Sequence, residues 1–275
     1  MIELGIVDIR EIIRLIKSQY NYDLSNQALT SFKLRLEKVI AKNNLKNPES
    51  LFRKLNDEPD YFDTFLQEIA VPSTEMFRDP SLWRWLREEY FSQLNSSLLT
   101  NFKIWIPYAV SGSELFTMCI LLKELDLLDK IKIIVTCFSE KSIAKIKSGE
   151  YSLKKIEISN ENYKRFNGAF SLDYYYEIKK YNVIRELSLI ENVEFIKDDH
   201  NYLRAPMNVK LILYRNALIY YNPSMQESIL DKMYSSLSAS GYLIIGIQEK
   251  IKQYNSDIKG FDIYNESESI YRKKI

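Results

Sequence analysis

Lys103-Ile104-Trp105-Ile106-Pro107-Tyr108-Ala109-Val110-Ser111-Gly112-Ser113-Glu114 is the stretch on which the fold turns. Ile104 to Ile106 have the branched and aromatic composition of a buried strand, and a turn with proline and glycine follows. The apolar run over 112–125 has helix length, and Glu114 opens it where a helix N-terminus favours a carboxylate. The alternation then repeats. Strand-like runs at 132–137, 193–196, 209–214 and 242–247 are interleaved with helical stretches over 139–148 and 225–237. Short strands separated by helix-length segments predict crossover connections and a mostly parallel sheet, so the fold class is α/β. Residues 261–265 and 269–273 flank a short polar turn and read as an antiparallel pair at the C-terminal edge.

Residues 1–70 follow a different period. Ile9, Ile12, Ile13 and Ile16, then Leu34, Leu36, Val39 and Ile40, then Leu51, Leu55, Phe62, Phe65 and Leu66 recur at helical spacing, the pattern of a small bundle. Ser25 and Ser31 read as caps of the second helix, and Pro48 suits the first turn of the third. Residues 151–191 are polar, tyrosine-rich and too long for a simple crossover, and read as an insertion. The expected organisation is a helical domain over 1–71 and an α/β domain over 72–275 that carries the insertion at about 151–191.

The 275 residues are 46% apolar and 27% charged, enough for a full core, and 38 basic against 37 acidic residues leave a net charge of +1. No charge excess recruits nucleic acid or an anionic membrane. No uncharged apolar run approaches the roughly 18 residues of a spanning helix, and the chain reads as cytoplasmic. Cys119, Cys137 and the one histidine, His200, make neither a disulfide framework nor a common zinc site, so no metal is expected. Seven glycines in 275 residues is low against a usual share of roughly 7%, which tells against a glycine-rich phosphate cradle.

In an open parallel sheet ligands bind beyond the carboxyl ends of the strands. The turn after the first strand keeps only Gly112, and Tyr108 puts a ring where close backbone approach to a ligand favours glycine. Glu114 reads either as a helix-start carboxylate or as the acceptor for a ligand ammonium. Cys137, at the end of the second strand, cannot supply the carboxylate that holds ribose hydroxyls, and reads as a small buried residue. Arg78 is either a surface charge at a helix start or a fork that grips a carboxylate. A buried strand over 209–213 delivers Arg215 and Asn216 at its carboxyl end, with Tyr220 and Tyr221 close behind, and polar groups at that edge point to ligand contact. His200 reads as a solvated loop residue. Lys33, Arg35, Lys38, Lys42 and Lys46 form a basic stripe, either a solvated face or a contact for an acidic protein partner.

Together these residues resemble the CheR family, the chemotaxis receptor methyltransferases that use S-adenosylmethionine to methylate glutamate side chains. The resemblance runs through the helices and their basic stripe, Thr74 to Trp83, the turn at 105–122, Ser148-Gly149-Glu150-Tyr151-Ser152, the run at 215–221, 241–249 and Ile270-Tyr271-Arg272. It implies an all-α N-terminal domain, a Rossmann-like methyltransferase domain, an inserted β-subdomain that docks a receptor tail in some members, and a chemoreceptor-like or other signalling protein as substrate. It places Thr74, Gly112, Glu114, Arg215 and Asn216 at the cofactor, and Arg78 and Tyr220 beside the methyl-transfer centre. The chain departs from the family pattern at Tyr108, at Cys137 in place of an aspartate, at Asp199-His200 in place of Asn-Leu, at Pro72 in place of an asparagine, and at Ile247-Gln248 in place of His-Ser. These departures motivate an alternative of another class, a CheR-like interaction or regulatory module without catalysis.

Overall fold

The computed structural model describes residues 4–70, 75–95, 99–180, 182–249, 251 and 260–274. Four helices come first: α1 (Ile6–Tyr20), α2 (Leu29–Lys42), α3 (Pro48–Asp57) and α4 (Tyr61–Ile69). Their apolar stripes close on one another, burying Ile9, Ile12, Phe32, Leu36, Leu51 and Phe65 in a core of their own. Pro48 occupies the first turn of α3, and the Asn47 side chain ahead of it accepts the Ser50 N–H. The caps expected at Ser25 and Ser31 are not formed. Helix α2 starts after Ala28 without a side-chain cap, which puts Ser31 inside its first turn.

The α/β part opens with α5 (Pro80–Trp85), which continues as one π turn over Leu86–Tyr90. Strand β1 (Lys103–Ile106) leads into α6 (Ser113–Glu124), and β2 (Lys132–Cys137) into α7 (Glu140–Lys147). Residues 150–185 form a small unit of β3 (Glu150–Tyr151), α8 (Ile156–Phe166), β4 (Tyr176–Lys179) and β5 (Asn182–Arg185), whose strands pair antiparallel in the order β3-β5-β4. The expected insertion therefore holds a separate three-stranded sheet. Then come β6 (Glu194–Lys197), β7 (Val209–Tyr214), α9 (Pro223–Ser236), β8 (Leu237–Ile245), β9 (Phe261–Asn265) and β10 (Ile270–Lys273).

The main sheet has seven strands in the order β6-β2-β1-β7-β8-β10-β9, parallel from β6 to β8 and closed by the antiparallel β10 and β9. Strand alternation feeds two cores. Ile104, Ile106, Leu211 and Leu213 face one side of the sheet, and Trp105, Ile212 and Tyr214 the other. Helix α6 is buried from Leu115 to Leu122, which explains why it is apolar all round. Chain order reverses between β1 and β7, so the switch point, and the crevice it opens, lies at their carboxyl ends.

Candidate active site

That crevice holds a cavity of about 430 Å3. The turn after β1, the turn after β7 and the turn that precedes α5 form its walls, and Arg78, Gly112, Glu114, Arg215, Asn216 and Tyr220 all line it. Thr74 lies outside the described residues. Gly112 has φ +71°, and a Cβ there would come within 2.9 Å of Ile146 Cγ2, so both backbone and space require glycine. Glu114 follows in the first turn of α6.

Arg215 is buried and held on two sides. Its guanidinium donates to Glu114 Oε1 at 2.9 Å and to Asp79 Oδ2, and lies over the Trp83 ring. Its Nε has no acceptor among the described residues. Burial raises the pKa of Glu114, and Arg215 opposes that rise. The wall beneath is strained, because Phe77 and Asp79 both have positive φ. It is fixed by the Trp83 indole N–H on the Arg78 carbonyl at 2.8 Å and by the Phe77 N–H on Thr117 Oγ1 at 3.0 Å. The Arg78 side chain is 38% exposed, and its one ion pair among the described residues is to Glu75 at 3.9 Å.

The opposite wall depends on Glu249, whose role the sequence did not reveal. Its buried carboxylate accepts the N–H groups of Asn216 and Gly246, both at 2.8 Å on Oε2, and that of Ile219 at 3.2 Å on Oε1. These bonds hold Asn216 at φ 55°. A Cβ on Gly246 would meet Asn216 Nδ2 at 2.5 Å, so this glycine also answers to close approach. Tyr220 is clamped from the helical side: its carbonyl accepts the Ala28 N–H at 2.8 Å, and Arg35 sits over its ring at 5.3 Å. Arg35 thus leaves the basic stripe, half-buried and bonded to Gln27 and the Ile69 carbonyl, while Lys38, Lys42 and Lys46 stay exposed.

Beyond Tyr108 the crevice is filled with rings. Tyr108 packs edge-on against Phe138, and Phe138 against His200, which also meets Tyr22 and Tyr221. His200 is the clearest correction to the sequence reading. It is 2% exposed, and its Nε2 bonds the Asp23 carbonyl, joining the α/β part to the helices. Cys137 is buried beneath, outside the cavity lining, and burial pushes its thiol up to about 12.

A glycine turn, a helix-start carboxylate and an arginine gather at the switch point of a mostly parallel seven-stranded sheet, where a Rossmann-like domain binds its ligand. Residues 72–264 match the CheR methyltransferase SAM-binding domain, and residues 7–70 the CheR methyltransferase all-alpha domain. The chain belongs to the CheR methyltransferase family. A protein of Pseudomonas putida called Cher3 is 29% identical over 97% of both chains. A chemotaxis protein methyltransferase of Listeria innocua is 23% identical over 86% of this chain and 88% of its own. Among solved structures, the N-methyltransferase NodS of Bradyrhizobium japonicum, in complex with S-adenosyl-L-homocysteine, aligns over 63% of each chain at 10% identity with a TM-score of 0.33.

The residues present fit S-adenosylmethionine at its amino-acid end. The Gly112 turn leaves room for close approach, Glu114 presents a carboxylate, and the Arg215 Nε–H is without an acceptor. The volume falls within the roughly 300–1,000 Å3 of small-ligand sites. At the end of β2 stands the thiol of Cys137, which cannot hold ribose hydroxyls as a carboxylate does.

Proposed function

We propose that this chain transfers a methyl group to side-chain carboxylates of a protein partner, with glutamate of a chemoreceptor-like or other signalling protein as the acceptor. The reading rests on one observation above others: Arg78 and Tyr220 line the same cavity as Glu114, Arg215 and Asn216. Bound there, S-adenosylmethionine supplies an electrophilic methyl on a sulfonium. Glu114 would hold the ammonium of its amino-acid end, and Arg215 and Asn216 would line the pocket around it. Arg78, half-exposed at the cavity, would orient the acceptor carboxylate through its fork. Tyr220, fixed by Arg35 and Ala28, would flank the reacting position and exclude water. A carboxylate is already ionised at neutral pH and needs no general base, so the chain has only to bring the reactants into line, and the cavity lining holds no histidine. Radiolabelled methyl incorporation into a receptor peptide tests this; incorporation no higher than that of Arg78→Ala would sink it.

A second reading, a CheR-like module that no longer binds the cofactor, is favoured by the rings of Tyr108 and Phe138 in the crevice and by Cys137 below them. A thermal-shift titration with S-adenosylhomocysteine separates the two. Ligand at 100 times its dissociation constant stabilises a binder by about 2.7 kcal/mol, and a non-binder does not move.

A further inference from the structure

Arg185, the last residue of β5, is 1% exposed and makes no ion pair among the described residues. A buried cation without a carboxylate is costly unless its donors are used, and burial pushes its pKa down to about 10. Two of its three nitrogens, Nε and Nη2, donate to main-chain oxygens, and Nη1 has no acceptor among the described residues. Nε donates to the Gly149 carbonyl at 3.2 Å, and Nη2 to the Glu150 carbonyl at 3.1 Å and to the Ser111 carbonyl at 2.9 Å. The flat guanidinium lies between Phe116, at 4.0 Å, and Tyr151, at 5.0 Å. Glu150 opens β3 of the three-stranded unit and Gly149 immediately precedes it, whereas Ser111 belongs to the turn that lines the cavity.

We propose that Arg185 is a positioning residue for the ligand-facing turn, through which the three-stranded sheet sets the shape of the cavity. In a trans peptide the C=O of one residue and the N–H of the next point in opposite directions. Holding the Ser111 carbonyl therefore turns the Gly112 N–H away from Arg185. The same unit grips the second wall: Tyr151 Oη accepts the Met76 N–H at 3.2 Å, and Asn162 Nδ2 donates to the Met76 carbonyl at 3.3 Å. The role in ligand binding rests on the methyl-donor reading of the cavity; the effect on the turn does not.

The test compares the full-length protein with Arg185→Lys, which keeps the charge but cannot span three carbonyls from one planar group. Backbone order parameters are measured without ligand, and S-adenosylhomocysteine affinity by calorimetry. Order parameters at Gly112 and Ser113 are expected to fall from about 0.85 to below about 0.6, with β1 and β7 unchanged. Affinity is expected to weaken about tenfold. Unchanged order parameters at the turn overturn the proposal. A fall spread over β1 and β7 also overturns it, since Arg185 would then be only a core support. If R185K does not fold, Arg185→Gln carries the same measurement, and failure of both to fold counts against the proposal. Wild-type protein that ignores S-adenosylhomocysteine removes the methyl-donor reading, while the order parameters still decide the role of Arg185.

Discussion

Glu249 has no charged partner within hydrogen-bond reach among the described residues, yet it organises a whole wall of the cavity. Burial raises its pKa, and the main-chain N–H groups of Gly246, Ile219 and Asn216 oppose that rise, so its ionised form is held by the peptide groups it arranges. Glu249→Gln turns one acceptor oxygen into an NH2 that faces main-chain donors, in a site where hydrogen bonds to a charged group are worth about 1.5–3 kcal/mol each. We expect the variant to lose about 2–4 kcal/mol of stability, read as a lower denaturant midpoint at unchanged m-value. A loss below about 0.5 kcal/mol, the size of an ordinary surface substitution, would show that the loop holds itself without the carboxylate. Gly112 gives a second expectation. Alanine there takes on a left-handed conformation costing roughly 1–2 kcal/mol and presses on Ile146. Gly112→Ala should therefore lower stability by about that amount and weaken S-adenosylhomocysteine binding, and unaltered calorimetric affinity would count against the turn as a ligand cradle.

At the scale of elements, the joint between the helices and the sheet is a short main-chain pairing. Asn222 N–H donates to the Asn26 carbonyl at 2.8 Å, its Nδ2 to Asn26 Oδ1 at 3.2 Å, and its Oδ1 accepts the Met225 N–H at 2.9 Å as the cap of α9. Asn222→Ala removes the cap and one cross-domain bond together, and about 1 kcal/mol of stability should go with the cap alone. Asn222→Ser restores a capping oxygen without reaching Asn26, so recovering only part of the alanine deficit in thermal unfolding separates the two roles. The alternation that marks β1, α6, β2 and α7 was legible because each strand is an unbroken apolar run bounded by polar turns. The boundary between α9 and β8 was not. The helix stops at Ser236, and β8 starts at Leu237, before the strand expected at 242, with Ser240 at positive φ beside Gly241. A bulge of that kind carries no apolar signal. The cavity lining was most legible just beyond a strand, where Arg215 and Asn216 follow β7 and Glu114 opens α6 after β1. Asp79, bonded to Arg215, gave no sign because it lies 136 residues away in a turn that only the folded chain brings near.

Over the whole molecule, distance along the chain also accounts for the misreading of His200. Its neighbours Asp198, Asp199 and Asn201 are polar and describe a solvated loop, but what buries it is Tyr22, Phe138 and Tyr221, together with the Asp23 carbonyl 177 residues away. The joint between the two parts of the chain thus contains a titratable ring. Burial lowers its pKa below 6.5, against the opposing pull of the Asp23 carbonyl and the Asp199 and Asp23 carboxylates. The unfolded chain takes up the proton first, so the contribution of His200 to stability is complete above pH 6.5 and is lost as pH falls from there towards the folded value. Within that window the loss approaches about 1.4 kcal/mol per pH unit. The Nε2–H bond to Asp23 survives protonation; what opposes folding is a cation among Tyr22, Phe138 and Tyr221. Carboxylates elsewhere also titrate below neutrality, so the quantity to measure is the difference between wild type and His200→Gln, in which those groups cancel. Denaturant unfolding at pH 7.5 and 5.5 should show the wild type losing more stability than the variant, and parallel losses would place the ring in a solvated joint instead.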